Sequence, residues 1–111
     1  MANARTDLMQ GTLELLILKT LSRDSIHGYG IAQRMRQISQ EVLQVQQGSL
    51  YPALHRLEKR GWLRAEWGEA DTGREAKFYT LTKAGRKQLE AEEANWGRLS
   101  EAVTMILRTV E

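Results

Sequence analysis

Apolar residues at helical spacing predict a first helix over residues 8–22, and this helix has two apolar sides. One stripe comprises Leu13, Ile17 and Leu21, widened by Met9 and Leu16. The other comprises Leu8, Leu15 and Leu18. A helix on the surface of a small domain needs a single apolar side. The pattern therefore predicts two burials, one in the core and one against a further element or a partner chain.

The same periodicity predicts two more helices. Residues 29–40 carry a stripe of Ile31, Met35, Ile38 and Val42, and residues 22–28 form a break before them. After a polar, glutamine-rich connector, a third helix runs from about Gly48 to Arg60 and ends at Gly61, a typical C-terminal cap. Its apolar stripe is Leu50, Leu54 and Leu57. The opposite side is polar and holds Gly48, Ser49, Pro52, His55, Arg56 and Lys59.

The pattern changes in the second half of the chain. Residues 62–67 and 76–82 are rich in aromatic and β-branched types and predict two strands. Residues 68–75 between them contain two glycines and several charges, so they predict a hairpin with a long charged tip. Thr82 is then a good N-cap for a last helix that runs to the C-terminus.

That last helix carries an apolar seam of Leu89, Trp96, Leu99, Val103, Ile106 and Val110. The first two are seven residues apart, and the others follow at alternating spacings of three and four. Over roughly 28 residues it is about 40 Å long, so a body of this size cannot cover all of it. A second copy of the chain is the simplest partner for such a seam. We therefore expect a homodimer with an interface made of Leu89, Trp96, Leu99, Val103 and Ile106, joined by Leu8 and Leu15.

The element order predicts the fold class: mainly α with a small antiparallel β-hairpin (α+β), arranged as a winged helix-turn-helix plus a long C-terminal dimerisation helix. Residues 1–82 form the predicted DNA-binding domain and residues 83–111 the dimerisation helix. In this plan the third helix enters the DNA major groove and the hairpin reaches the neighbouring backbone. Ser49, His55, Arg56 and Lys59 supply hydrogen-bond donors and cations for base edges and phosphates.

Charge supports a nucleic-acid partner for the middle of the chain. The net charge is +2, but residues 19–87 hold 13 Lys and Arg against 7 Asp and Glu, whereas residues 88–111 hold two against five. A basic middle joined to an acidic end indicates that the middle meets a polyanion and that the end has another task.

Other classes are not supported by the composition. There is no cysteine, and the longest apolar run, Leu15 to Leu18, is far shorter than the roughly 20 residues of a membrane helix. We expect a cytoplasmic protein. No nucleophile–base set, paired carboxylates or phosphate-binding glycine loop is recognisable, and the two histidines lack ligands at metal spacing. The sequence therefore predicts no enzyme, no cofactor and no metal site.

Three motifs in one order resemble the PadR-like family of bacterial transcriptional regulators. They are His27-Gly-Tyr-Gly-Ile31, Gly48-Ser-Leu-Tyr-Pro-Ala-Leu-His-Arg-Leu-Glu58 followed by Gly61, and Asp71-Thr-Gly-Arg-Glu-Ala-Lys-Phe-Tyr-Thr-Leu-Thr-Lys-Ala-Gly85. The resemblance covers residues 8–107. The short last helix is similar to that of the small subfamily, which dimerises through it, and residues 8–16 resemble an acidobacterial branch.

The resemblance implies roles for individual residues in DNA binding. Tyr51 matches a recognition-helix tyrosine that contacts the DNA backbone, and Tyr29 matches a tyrosine near the phosphates. Arg74, Lys77 and Tyr79 match the basic and aromatic wing, although Asp71 and Glu75 beside them weaken its attraction for phosphate. For the whole protein, the resemblance implies a homodimeric repressor that binds an inverted-repeat operator.

Some PadR-like proteins enclose a flat apolar pore for aromatic effectors between their first and last helices. By this resemblance Met9, Leu15 and Trp96 line an effector pocket. The alternative is that Trp96 is a residue of the dimer seam only. Two alternatives also stand for the whole protein: a winged-helix module that binds proteins and not DNA, and a ligand-gated regulator of another winged-helix family, such as the MarR-like group.

Overall fold

The computed structural model describes residues 10–109, so Leu8, Met9 and Val110 lie outside the described residues. The elements are α1 Gln10–Thr20, β1 Ile26–His27, α2 Gly28–Ile38, α3 Gln47–Lys59, β2 Leu63–Glu69, β3 Glu75–Leu81 and α4 Lys83–Leu107. Three helices, a hairpin and a long final helix follow one another as the sequence predicted.

The sheet has three antiparallel strands in the order β1-β3-β2, one more than the predicted hairpin. The added strand pairs Ile26 with Tyr79 and His27 with Phe78, in a segment that the sequence marked only as a break. Two residues are too few to show a β-strand period, so the sequence pattern does not predict this strand. The strand is formed by its pairing with the free edge of β3. It ties the start of α2 to the wing.

One core unites the helices and the sheet. Its buried apolar residues are Leu13, Leu15, Ile17, Leu18, Leu21, Ile26, Ile31, Met35, Leu50, Ala53, Leu54, Leu57, Leu63, Tyr79, Leu81 and Leu89. Both apolar sides of α1 are buried, because α3 and α4 of the same chain both pack against α1. The predicted second burial is therefore within the chain.

Two predictions for the dimer interface need correction. Leu15 and Leu89 are only 9% and 4% exposed within a single chain, so both are core residues.

The predicted apolar stripe of α2 ends earlier than expected, since Ile38 and Val42 are 72% and 60% exposed. Ile38 is the last residue of the helix, and the chain then turns through positive φ at Gln40 and Glu41, so Val42 is not part of α2.

A compact connection fixes α3 relative to the wing and α4. Gly61 has φ +81°, its amide donates to the Glu58 carbonyl, and the Trp62 amide donates to Leu57, which is the Schellman ending of a helix. The Thr82 hydroxyl donates to the Gly61 carbonyl at 2.7 Å and accepts the Gly85 amide at 3.0 Å. One threonine thus caps α4 and joins it to the end of α3.

The two halves of α4 have different surroundings. Its first turns pack into the core around Gly85 and Leu89. Beyond them, Trp96, Leu99, Val103 and Ile106 are between 46% and 72% exposed. Within residues 10–109 no helix is long and apolar enough to span a membrane.

Candidate DNA interface

Helix α3 presents a polar side to solvent. Leu50, Leu54 and Leu57 are fully buried, as the spacing predicted, and they anchor the helix against the core. The exposed residues on the other side are Gly48, Ser49, Tyr51, Pro52, His55 and Lys59. Donors and small residues therefore share an open surface, which is the arrangement that close approach to a base edge requires.

Arg56 departs from the predicted arrangement. Its Nε donates to Glu14 of α1 at 2.8 Å, and Arg60 Nη1 donates to the other oxygen of the same carboxylate at 3.0 Å. The Glu14 side chain is only 7% exposed and the Arg56 side chain 31%. Arg56 thus lies between α3 and α1 and does not share the open side of α3, because an acid of another helix faces it.

A groove of about 820 Å³ lies between the start of α2, helix α3 and the wing formed by β2 and β3. It brings together five of the nine residues predicted to bind DNA: Tyr29, Tyr51, Arg74, Lys77 and Tyr79. Ser49, His55, Arg56 and Lys59 do not line it. The predicted residues thus divide into a groove set and a set on α3.

Tyr51 stands at the junction of these two sets. Its ring lies so close to Gly28 that a Cβ there would come within 2.6 Å of the ring and 2.9 Å of the hydroxyl. Only glycine leaves that space, and 42% of Tyr51 remains exposed. Tyr29, one residue beyond Gly28, is 60% exposed. The two phenols therefore flank the beginning of α2 at the mouth of the groove.

The wing carries cations and acids together. Lys77 Nζ lies 3.6 Å from Glu58 of α3 and 5.9 Å from the centre of the Tyr79 ring. Arg74 is exposed near the tip, which turns at Gly73 with φ +85°. Asp71 and Glu75 line the same groove. Arg74 and Lys77 are therefore the wing cations that can attract a phosphate, and the nearby acids weaken that attraction.

Tyr79 is a core residue and not a free part of the wing. It is 5% exposed, and burial raises the pKa of its phenol, with smaller contributions from Glu58 and Tyr51. The sequence placed it correctly on β3. Its burial depends on α2 and α3 covering that part of the sheet, which the strand pattern does not reveal.

Two features of this region were missed by the sequence analysis. His27 is the N-cap of α2, and its Nδ1 accepts the Gly30 amide at 3.0 Å, whereas the sequence analysis named it only within a motif and within the break before α2. Trp67, which the sequence predicted only as the last residue of a strand, is 67% exposed and lines the groove. The strand pattern does not show that Trp67 lies beyond the edge of the core.

A second groove, of about 580 Å³, runs between α1 and the middle of α4. Leu15 and Trp96, two of the three residues predicted for an effector pocket, line it together with Gly11 and Leu99. On its α4 side, Trp96 and Leu99 lie beside the polar residues Gln88, Glu92 and Asn95. The groove is open to solvent.

A model of the transcriptional regulator PadR-like family matches residues 17–91, from α1 through the wing into α4. The match covers more than half of the chain and includes all three motifs. The chain belongs to the PadR-like family. This agrees with the resemblance that the motifs indicated.

Individual relatives agree with the family match. A transcriptional regulator of Mycobacterium tuberculosis is 32% identical over 97 residues, which are 87% of each chain. A PadR-like transcription factor from Bacteroides fragilis is 35% identical with a TM-score of 0.71, over 87% of this chain and 91% of that one. A regulator from Clostridium thermocellum has a TM-score of 0.83 over 93% and 100% of the chains, and at 24% identity it shows the fold alone.

Membership in the PadR-like family confirms three predictions from the sequence: the regulatory function, the winged-helix fold and the absence of an enzymatic role. The protein is a transcriptional regulator with the winged-helix fold, and it belongs to a family of regulators and not of enzymes. The MarR-like alternative is wrong, because the matched family is the PadR-like one. Members of this family bind DNA and typically dimerise.

Proposed function

We propose that this PadR-like regulator is a homodimeric repressor that binds an inverted-repeat operator through α3 and the wing groove. The observation that carries the proposal is the continuity of two surfaces. The open side of α3, with Ser49, His55 and Lys59, runs through Tyr51 into the groove that Arg74 and Lys77 line. A helix beside a groove of this kind fits a major groove and its adjoining backbone.

In this proposal the residues have distinct tasks. Ser49, His55 and Lys59 meet base edges and nearby phosphates. Tyr29 and Tyr51 donate to backbone phosphates at the start of α2, and Arg74 and Lys77 meet the phosphates that follow. Arg56, held by Glu14, positions α3 and does not read bases.

Dimerisation through α4 supplies the second recognition helix. Trp96, Leu99, Val103 and Ile106 form a continuous apolar strip that a single chain leaves open. A two-fold axis along this strip relates the two α3 helices, so the target is an inverted repeat. Bound over a promoter in the cytoplasm, the dimer blocks transcription.

Binding to the DNA upstream of the gene for this protein tests the proposal. Fluorescence anisotropy gives the dissociation constant at several salt concentrations, and the affinity should fall steeply with salt because counterions are released. Lys59→Ala and Arg74→Ala should each weaken binding by about tenfold, and Arg74→Ala should lower the salt slope by about one, because one phosphate is no longer neutralised. Lys87→Ala, which removes an equal charge from the exposed surface of α4, is the matched control.

A folded dimer that ignores this DNA and other promoter fragments at low salt would rule the proposal out and favour the alternative of a protein-binding module. Equal losses for Lys59→Ala and Lys87→Ala would instead remove α3 from the interface. For repression itself, a reporter behind the bound promoter should be more active in cells that lack the protein.

The groove between α1 and α4 supports a further part of the proposal, an aromatic effector. Leu15, Trp96 and Leu99 offer apolar walls, and a second chain would close the open side. A flat aromatic compound between the two Trp96 rings would alter the spacing of the recognition helices. Titration of the dimer with planar aromatic compounds should quench tryptophan fluorescence, and Trp96→Phe should abolish that change. A response that persists in Trp96→Phe would exclude this groove.

A further inference from the structure

The inner side of the wing changes character along its length. In the ladder of β2 and β3, Leu63 faces Leu81, Ala65 faces Tyr79 and Trp67 faces Lys77. Alternate pairs share one side of a sheet, so these three pairs form one row toward the helices. The first two pairs belong to the core or pack on it, whereas the third lies past its edge.

Trp67 therefore extends the core row into open space. Leu63 is 2% exposed and Trp67 is 67% exposed, although both lie on the same side of the same strand. Trp67 lines the groove together with Tyr29 and Tyr51. Among residues 10–109, no aromatic stacking, cation–π contact or side-chain hydrogen bond engages its indole.

The charged residues around Trp67 make contacts of their own, so its indole is available for an apolar contact. Lys77, opposite Trp67, directs its ammonium toward Glu58 and the Tyr79 ring. The next pair on the same side of the ladder is Glu69 with Glu75, so acids flank the tip beside Arg74. These acids weaken the attraction of the wing cations for phosphate. An exposed tryptophan surrounded by polar groups is typical of a binding hot spot, because a rigid ring buries much apolar area on contact.

We propose that Trp67 of each wing packs against the deoxyribose carbons of the DNA strand that enters the groove beside Tyr29 and Tyr51. The inference rests on the proposed DNA binding and adds a contact that releases no counterion. Part of the affinity contributed by the wing is then independent of salt, unlike the part contributed by Arg74.

The salt dependence of binding distinguishes this contact from an electrostatic one. Trp67→Ala should weaken operator binding by about tenfold at every salt concentration and leave the slope of log K against log salt unchanged. Trp67→Phe, which keeps an aromatic ring, should recover most of the loss. Ile38→Ala removes a 72% exposed apolar side chain from the end of α2 and should bind like the wild type. Thermal melts confirm that each variant is folded.

Fluorescence gives a second measurement on the unmodified protein. The difference between wild-type and Trp67→Phe emission should change on addition of operator DNA, since the indole leaves water. If Trp67→Ala binds like the wild type while Arg74→Ala does not, the Trp67 contact is refuted and DNA binding stands. If the wild type itself fails to bind, both proposals fall. A lower salt slope in Trp67→Ala would also overturn the sugar contact.

Discussion

At the scale of single residues, one buried carboxylate holds α3 in place. Glu14 accepts hydrogen bonds from Arg56 in the last turn of α3 and from Arg60, the C-cap of that helix. The guanidinium of Arg60 also lies 5.3 Å from the Trp62 ring centre. The acid is buried, whereas the Arg56 and Arg60 side chains keep 31% and 44% of their surface in water. The network therefore fixes α3 against α1 with only the carboxylate fully desolvated.

Glu14→Gln should destabilise the folded chain by about 1–3 kcal/mol, less than the loss of a partner from a fully buried pair, because both guanidiniums retain water. Urea denaturation of the wild type and the variant gives this difference. The control is Asp24→Asn, which breaks the exposed pair with Arg34 and should cost about 0–1 kcal/mol. Equal losses for the two variants would show that burial of Glu14 contributes nothing.

The phenol of Tyr79 makes stability depend on alkaline pH. Its pKa is raised above the ordinary value of 10.0, mainly by burial, so the native state keeps this proton where the unfolded state has lost it. The resulting stabilisation is present in full below pH 10.0 and is lost as pH rises through the raised pKa of the native state.

Tyr79→Phe should remove this part of the pH dependence, because phenylalanine has no proton to lose. The free energy of unfolding, measured from neutral pH into the alkaline range, should fall less steeply for Tyr79→Phe than for the wild type. Tyr29→Phe is the control, since Tyr29 is exposed. If the free energy of unfolding of Tyr79→Phe fell with pH as steeply as that of the wild type, the raised pKa of the Tyr79 phenol would be contradicted.

At the scale of elements, the docking of α4 depends on close backbone contact at its first turn. A Cβ at Gly85 would lie 2.1 Å from the Trp62 carbonyl oxygen and 2.7 Å from Leu81 Cδ1. A Cβ at Gly97, three turns later, would meet nothing within 4 Å. The same helix therefore contains one glycine that packing requires and one that packing does not.

Alanine at these two positions should have opposite effects. Gly85→Ala should destabilise by about 1–3 kcal/mol or more, because α4 or the backbone at Trp62, just before β2, must shift. Gly97→Ala should stabilise by about 0.5–1 kcal/mol through helix propensity and a less free unfolded chain. Thermal unfolding of both variants measures these changes. Stabilisation by Gly85→Ala would mean that α4 begins further from the wing.

At the scale of the whole molecule, α4 extends an apolar strip away from the body. The chain measures 58 Å along its longest axis and 21 Å along its shortest. Leu99, Val103 and Ile106 are about half or more exposed. A strip of this length on a single chain favours association, and the groove beside Trp96 lies along the same side.

Val103→Glu should weaken the proposed dimer by at least about tenfold, because a carboxylate would be buried in an apolar seam. Analytical ultracentrifugation over a range of concentrations measures association. Ala94→Glu adds the same charge to the opposite side of α4 and should leave the dimer intact. A wild type that stays monomeric at all concentrations would refute dimerisation, and operator affinity should fall together with dimerisation in Val103→Glu.

Local periodicity was sufficient for much of the fold. The buried stripe of α3, its end at Gly61 and the cap at Thr82 are encoded within a few neighbouring residues, so sequence reasoning located them. The exposed positions of Ser49, His55 and Lys59 follow from the same stripe. Family motifs added the tyrosines and wing cations, and five of these predicted residues meet in one groove.

The remaining assignments depended on which element stands opposite. Arg56 binds an acid 42 residues away, and the chain between them gives no sign of that contact. Tyr79, Leu15 and Leu89 are buried by helices of their own chain, whereas Trp67 lies on an inner row but beyond the helices that would cover it. The sequence by itself determined which side of each helix or strand is apolar, because that property is periodic and local. Only the tertiary structure decided how far the cover extends, because burial depends on the length and placement of the neighbouring elements.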